Sequence, residues 1–265
     1  MGQLLVEGAE PGRNFDRARK MIADASVANC NLILLPETID FGWTHPSGLK
    51  ESKPIPGEFS EGFRQWAKEY NIYICVGLTE NSGDQNFNTA LLINPAGEII
   101  LKYRKINLLE VEFPFYGIGN QLKVVQTEFG NIGLNICSDN YSDALDLGRS
   151  LSRMGAQILL SPSSWTVDYS VTEKDDPYRE KWKQPLMALS QFNGMAVIST
   201  TSVGYIVGGP YEGKKMIGRS LAVLGDEILA EGMINEFAGE LKMIEFEVPA
   251  SAGKGINTGK KLKKT

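Results

Sequence analysis

The chain has 265 residues, 42% hydrophobic and 22% charged, with a formal net charge of −5. That balance is ordinary for a soluble globular protein, so disorder is not the default, and an acidic surface argues against non-specific nucleic-acid binding. No run approaches the roughly 20 apolar residues of a membrane span, the N-terminus lacks signal-peptide order, and three cysteines give no disulfide framework, so a cytoplasmic protein is expected.

Strand-like runs alternate with helical ones along the chain. "QLLV" precedes an amphipathic helical stretch from Asn14 to Asn29, and "NLILLPE" follows as a strand. "EGFRQWAKEY" has helical periodicity and "NIYICVGL" is strand-like. In "NTALLINPAGEIILKYRK" two strands flank Asn94-Pro95-Ala96-Gly97, a hairpin signal. "NIGLNIC" and the helix "DALDLGRSLSRMG" lead into the strand "AQILLSP"; the helix "EKWKQPLMALSQFNG" leads into "MAVIST". "GRSLAVLGDEILAEG" predicts a hairpin turning at Gly225-Asp226, and "ELKMIEFEV" a last strand. The order is βαβα with inserted hairpins, so layered α/β with parallel and antiparallel pairing is expected. No linker divides the chain: residues 1–265 read as one domain, with 251–265 a flexible basic tail. The polar, aperiodic stretch from Ser163 to Asp176 is long enough to be a lid or one wall of a pocket.

Three strand ends carry reactive groups. Cys137 closes "GLNIC", where an apolar run stops at the thiol; at such chain ends backbone N–H groups and nearby cations favour a thiolate. Cys30 and Cys75 lie inside a helical and a strand-like stretch and are expected to be structural. The only histidine, His45, sits in the turn-like "GWTHPSG" and reads as surface or pocket rim. A carboxylate is therefore the expected base for Cys137, and Ser-His-Asp and His-dependent zinc patterns are excluded. Glu37 follows a buried strand and a proline, where desolvation raises a carboxyl's pKa toward a general base's range. Of Lys102, Arg104 and Lys105, not all can point inward, but one lysine at that strand end can face the same cleft. No phosphate-binding loop or dinucleotide fingerprint follows a strand.

"LILLPE", "KYRK" and "GLNIC", in this order and spacing, resemble the nitrilase, or carbon–nitrogen hydrolase, superfamily, over nearly the whole chain. The resemblance implies a four-layer α-β-β-α sandwich with mixed sheets. It also implies Glu37 as general base, Lys105 as stabiliser of the tetrahedral intermediate, Cys137 as nucleophile and the Ser138 backbone N–H as an oxyanion donor. A second glutamate belongs between lysine and cysteine; counting back from "GIGN", Glu112 fits better than Glu110. Trp43, Phe113, Tyr141 and Trp165 are the aromatics nearest these motifs and are expected pocket walls. No metal or organic cofactor is implied. The expected partners are a small amide or carbamoyl substrate and a second copy of the chain, in a homodimer or higher oligomer. Nitrile hydrolysis, acyl transfer to another acceptor, and a silent scaffold are the alternatives. "CSD" resembles the amidase branches, whereas "NYSDALDLGR" lacks the Pro-Glu pair that many members carry after the cysteine.

Overall fold

The computed structural model describes residues 1–250. The basic tail expected at 251–265 lies outside them. The elements in chain order are β1 (Gly2–Gln3), α1 (Pro11–Val27), β2 (Leu32–Leu34), α2 (Gly48–Glu51), α3 (Glu58–Glu69), β3 (Tyr73–Asn81), β4 (Asn86–Ile93), β5 (Ile99–Arg104), β6 (Val124–Thr127) and β7 (Gly130–Leu134). They continue as α4 (Leu145–Arg153), β8 (Ile158–Ser163), β9 (Thr166–Val167), α5 (Arg179–Asn193), β10 (Ala196–Thr201), β11 (Val203–Tyr205), β12 (Lys215–Ile217), β13 (Leu221–Leu224), β14 (Glu227–Glu231) and β15 (Glu240–Leu241).

Two sheets face each other. One has the order β2-β3-β4-β5, parallel between β2 and β3 and antiparallel beyond; the other is β14-β13-β10-β8-β7-β6, with β7, β8 and β10 parallel. Strand β3 shows why they stack. Its alternate side chains Ile74, Val76 and Leu78 join a core with Ala18, Ile22 and Phe63 of α1 and α3, while Tyr73 and Cys75 join the core that holds Leu134, Leu160, Leu186 and Leu189. A strand buried on both faces favours apolar residues at successive positions, which is why its sequence from Tyr73 to Leu78 is a continuous apolar run. Helices α4 and α5 cover the outer face of the second sheet, giving the four-layer α-β-β-α sandwich.

Helix α1 opens with Pro11 in its first turn and buries Asn14, Ala18, Ile22 and Ala25 on one stripe. The predicted hairpins at Asn94–Gly97 and Gly225-Asp226 both form. Three sequence expectations need correction. "ELKMIEFEV" forms a ladder only at Glu240–Leu241, against the two residues of β1. Ile244, Phe246 and Val248 still pack on the core, so the alternation reported one-sided burial without a backbone partner. The stretch after Ser163 is not free of regular structure: β9 pairs with β12, Lys215 Nζ donates to the Val171 carbonyl at 2.7 Å, and Arg219 pairs with Asp176 at 3.1 Å. Strands β6, β11 and β12 were not expected from the sequence at all.

Candidate active site

Chain geometry fixes each carboxylate and the lysine. Glu37 follows β2, whose line is prolonged when the Leu35 N–H donates to the Cys75 carbonyl at 2.8 Å. Gly77 lies directly beneath: a Cβ there would stand 2.6 Å from the Glu37 Cα, so only glycine admits this approach. Lys105 is the first residue after β5. Its N–H donates to the Asn88 carbonyl and its carbonyl accepts from the Gly119 N–H, each at 2.8 Å. The basic cluster divides as strand alternation requires, because Lys102 and Arg104 both reach Glu80 at 2.8 Å, away from the cleft. Glu112 ends a single helical turn, Glu110–Glu112, and is fully buried, whereas Glu110 is exposed.

Lys105 Nζ stands 3.0 Å from Glu37 Oε1 and 2.9 Å from both oxygens of Glu112, and all three side chains are wholly buried. Glu112 also accepts from the Trp43 indole N–H at 2.8 Å and from the Leu109 N–H at 2.8 Å. Asn88 Nδ2 donates to Glu37 Oε1 at 2.6 Å and lies 3.4 Å from Glu112 Oε1. Both Glu112 oxygens are thus occupied, while Glu37 Oε2 is buried with no hydrogen-bond partner. Burial raises the Glu37 pKa above the ordinary carboxylate range, with the Lys105 charge opposing it. Burial disfavours the Lys105 ammonium, but the charges of Glu112 and Glu37 override it and hold the lysine well above its ordinary value.

Cys137 begins a single helical turn, Cys137–Asn140, immediately after the β7 strand direction ends. Its φ of 46° is left-handed, a conformation that costs a non-glycine residue about 1–3 kcal/mol and persists only where surroundings impose it. Asp139 imposes it: its carboxylate accepts from the Ile136 N–H at 2.8 Å, the Asn107 N–H at 2.8 Å and the Tyr103 hydroxyl at 2.7 Å. Asn107 adds two bonds to Ser138, its Nδ2 donating to the Ser138 carbonyl at 2.7 Å and its own carbonyl accepting from the Ser138 hydroxyl at 2.6 Å. The turn carrying the sulfur is therefore fastened to the segment carrying Lys105. The expected cation-stabilised thiolate is not what results. Burial first, then the Glu37 charge, push the Cys137 pKa up, and Lys105 and the Ser164 backbone N–H offset only part. Burial and the Glu37 charge thus favour the protonated thiol.

A family model described as "Carbon-nitrogen hydrolase" matches residues 5–232. The chain belongs to the carbon–nitrogen hydrolase family. It is 28% identical over 260 residues to a nitrilase of Pyrococcus abyssi, covering 96% of this chain and 91% of that one. It is 31% identical over 211 residues to a deaminated glutathione amidase of Dictyostelium discoideum, covering 72% of this chain and 69% of the relative. In fold it is similar to an amidase from Nesterenkonia sp. AN1, with a TM-score of 0.76 at 22% identity over 88% of this chain and 87% of that one; that structure carries acrylamide added at its active-site cysteine. A carbon–nitrogen hydrolase from Helicobacter pylori G27 gives a TM-score of 0.77 at 21% identity, over 88% of this chain and 84% of the other.

In this carbon–nitrogen hydrolase the cleft at Cys137 is lined by Asn140, Tyr141, Trp165, Trp182, Leu186 and Ser199. Tyr141 and Trp165 thus stand where pocket walls were expected. Trp43 does not line this cleft; it holds Glu112 from behind. Phe113, which follows the buried Glu112 in its turn, is 56% exposed and is not among the residues lining the cleft. Cys75 is buried in the core, Cys30 is half-buried, and His45 is half-buried with Nδ1 accepting from the Ser47 N–H at 3.2 Å. Sequence reasoning missed Asn88, Asn107 and Trp182 as site residues. Asn88 and Trp182 lie inside a strand and a helix whose apolar patterns read as packing, and only Asn107, two residues beyond Lys105, offered a positional signal. Among the described residues no group of three or more His, Cys, Asp or Glu side chains is placed to hold a metal ion, and no helix is long and apolar enough to cross a membrane.

Proposed function

We propose that this hydrolase cleaves the C–N bond of a small non-peptide amide or N-carbamoyl compound through a thioester on Cys137. The observation that carries the reading is the unpartnered Glu37 Oε2 in a site where every other carboxylate oxygen is occupied. That oxygen takes the thiol proton as the sulfur attacks the carbonyl, so no free thiolate need accumulate. Lys105 and the Ser138 backbone N–H hold the oxyanion, each donor of this kind contributing about 3 kcal/mol. Glu37 then gives its proton to the departing ammonia or amine, and the same carboxylate deprotonates the water that hydrolyses the thioester. Glu112 keeps Lys105 charged and in place; Asn88, by occupying Oε1, leaves Oε2 as the proton acceptor.

Nitrile hydrolysis is the second reading, favoured by the likeness to the Pyrococcus abyssi nitrilase. The amide reading draws support from the likeness to the deaminated glutathione amidase and from "CSD" at the nucleophile. The test is ammonia or amine release from an amide, a carbamoyl compound and a nitrile that share one side chain. Faster turnover of the nitrile overturns the amide assignment. The protein acts as a cytoplasmic homodimer or higher oligomer, pairing through α4 and α5; Met154, just beyond α4, and Phe192 on α5 are 43% and 79% exposed. Sedimentation showing only monomer at micromolar concentration overturns that part.

A further inference from the structure

Trp182 sits on α5, 4% exposed, with its ring stacked on Trp165 at 4.8 Å and 5° and on Tyr178 at 5.8 Å and 29°. It lines the same small cleft as Cys137, yet its indole N–H is buried with no hydrogen-bond partner. A buried donor left unpaired is rare and costly unless something outside the protein pairs with it. The Tyr141 hydroxyl lies near it: burial pushes that phenol's pKa up and the indole N–H offsets only a little of this, without meeting the geometry of a hydrogen bond. The other polar groups in the cleft are committed. Asn140 Nδ2 donates to Ser161 Oγ at 2.8 Å and Asn135 Oδ1 at 3.1 Å, and Ser199 Oγ shares a 2.8 Å bond with Ser163 Oγ.

The cleft leaves about 10 Å³ for the centre of a water-sized group. In so small a space, shared by Cys137 and Trp182, an atom that meets the indole belongs to the part of the acyl chain next to the carbon attached to the sulfur. None of the lining side chains bears a fixed charge; the nearby Lys105 is already paired with Glu37 and Glu112, and Lys181, over the Tyr141 ring, is exposed to solvent, so a carboxylate inside the cleft would gain little, whereas a neutral oxygen would find a donor. We propose that the Trp182 indole N–H selects the acyl group, donating to an uncharged acceptor oxygen on the α-carbon, so that short 2-hydroxy amides are preferred over hydrocarbon amides of the same shape. This rests on the reading of Cys137 as the acylated sulfur.

The test compares 2-hydroxypropanamide with 2-methylpropanamide, which differ by a hydroxyl in place of a methyl. The native protein is expected to favour the former in kcat/KM by roughly tenfold, the worth of one buried hydrogen bond. In Trp182→Phe, which keeps a ring against Trp165 but removes the donor, the ratio falls to near one. Replacement of Trp182 by benzothienylalanine, which keeps the bicyclic shape and lacks the N–H, gives the same answer if the phenylalanine variant does not fold. A native ratio near one, or a ratio that survives both replacements, overturns the inference. Binding of the same pair to Cys137→Ala, followed by tryptophan fluorescence, separates the two claims. A Trp182-dependent preference in binding without turnover of either amide in the native protein sustains the selectivity and sinks the hydrolase reading; no preference in binding overturns the selectivity.

Discussion

Lys105→Met is the most informative perturbation of the site, because it separates charge from shape. Each lysine–carboxylate contact, at 2.9–3.0 Å, is worth about 5–6 kcal/mol of attraction at an effective dielectric near 20. Desolvation of three wholly buried charges cancels much of that. Removing the cation alone leaves Glu37 and Glu112 facing each other without compensation, a loss of about 3–5 kcal/mol of stability. Because burial and the uncompensated Glu112 charge then raise the Glu37 pKa further, the folded variant binds more protons than the unfolded chain. Its deficit is therefore smallest in acid and grows as pH rises. Adding Glu112→Gln to Lys105→Met removes one of the stranded charges and should restore a large part of the stability, while activity stays down by about a hundredfold or more, the lysine being an oxyanion donor. Urea unfolding at pH 5 and pH 8, with kcat/KM beside it, reads both. If Lys105→Met is as stable as the native protein at pH 8 and the double variant is no better, the three charges do not interact as described.

Other outcomes follow from the same geometry. The rate should rise with pH through a limb lying above the ordinary carboxylate value of 4.5, reporting Glu37, and should show no fall through the ordinary lysine range, since Lys105 is held above 10.5; a limb at or below 4.5 removes Glu37 as the base. Asp40 is buried, accepting from the Thr79 and Phe41 N–H groups, and its pKa is pushed from 3.8 up to about 7, chiefly by desolvation. A raised folded pKa gives stability that is complete below the unfolded value and is lost as pH rises through the folded one. Asp40→Asn should thus gain on the native protein by about 1.4 kcal/mol per pH unit across that window, and a pH-independent difference would refute it. Gly77→Ala should cut activity by an order of magnitude or more by displacing Glu37, because its Cβ has no room against the Glu37 Cα; retention of near-native kcat would show that the loop yields freely.

Much of this was legible before any coordinates. Glu37 and Cys137 each stand just beyond an apolar run, a place where a polar side chain on a buried strand can turn into a cleft, whereas Lys105 follows a basic cluster and was singled out by the family resemblance. Glu112 over Glu110 came from the family resemblance, counted back from "GIGN". Trp43, Phe113 and the final strand were harder, for one reason: aromatic content and alternation report burial, and burial does not say what a side chain faces. Trp43 is buried against Glu112, Phe113 is turned out, and Ile244, Phe246 and Val248 pack without a ladder. Asn88 and Trp182 were hidden because their neighbours in β4 and α5 give ordinary strand and helix patterns. At Cys137 the sequence reveals the neighbouring cation but neither the depth of burial nor the Glu37 charge, both of which push the thiol pKa up.

Rapid-quench mass spectrometry of the protein mixed with small amides tests most directly whether Cys137 carries a covalent acyl group during turnover. An acyl adduct is expected on the Cys137 peptide alone, absent from Cys30 and Cys75, forming and decaying within a turnover and abolished in Glu37→Gln. Amide turnover with no adduct on Cys137, or an adduct that forms as fast in Glu37→Gln as in the native protein, would contradict it.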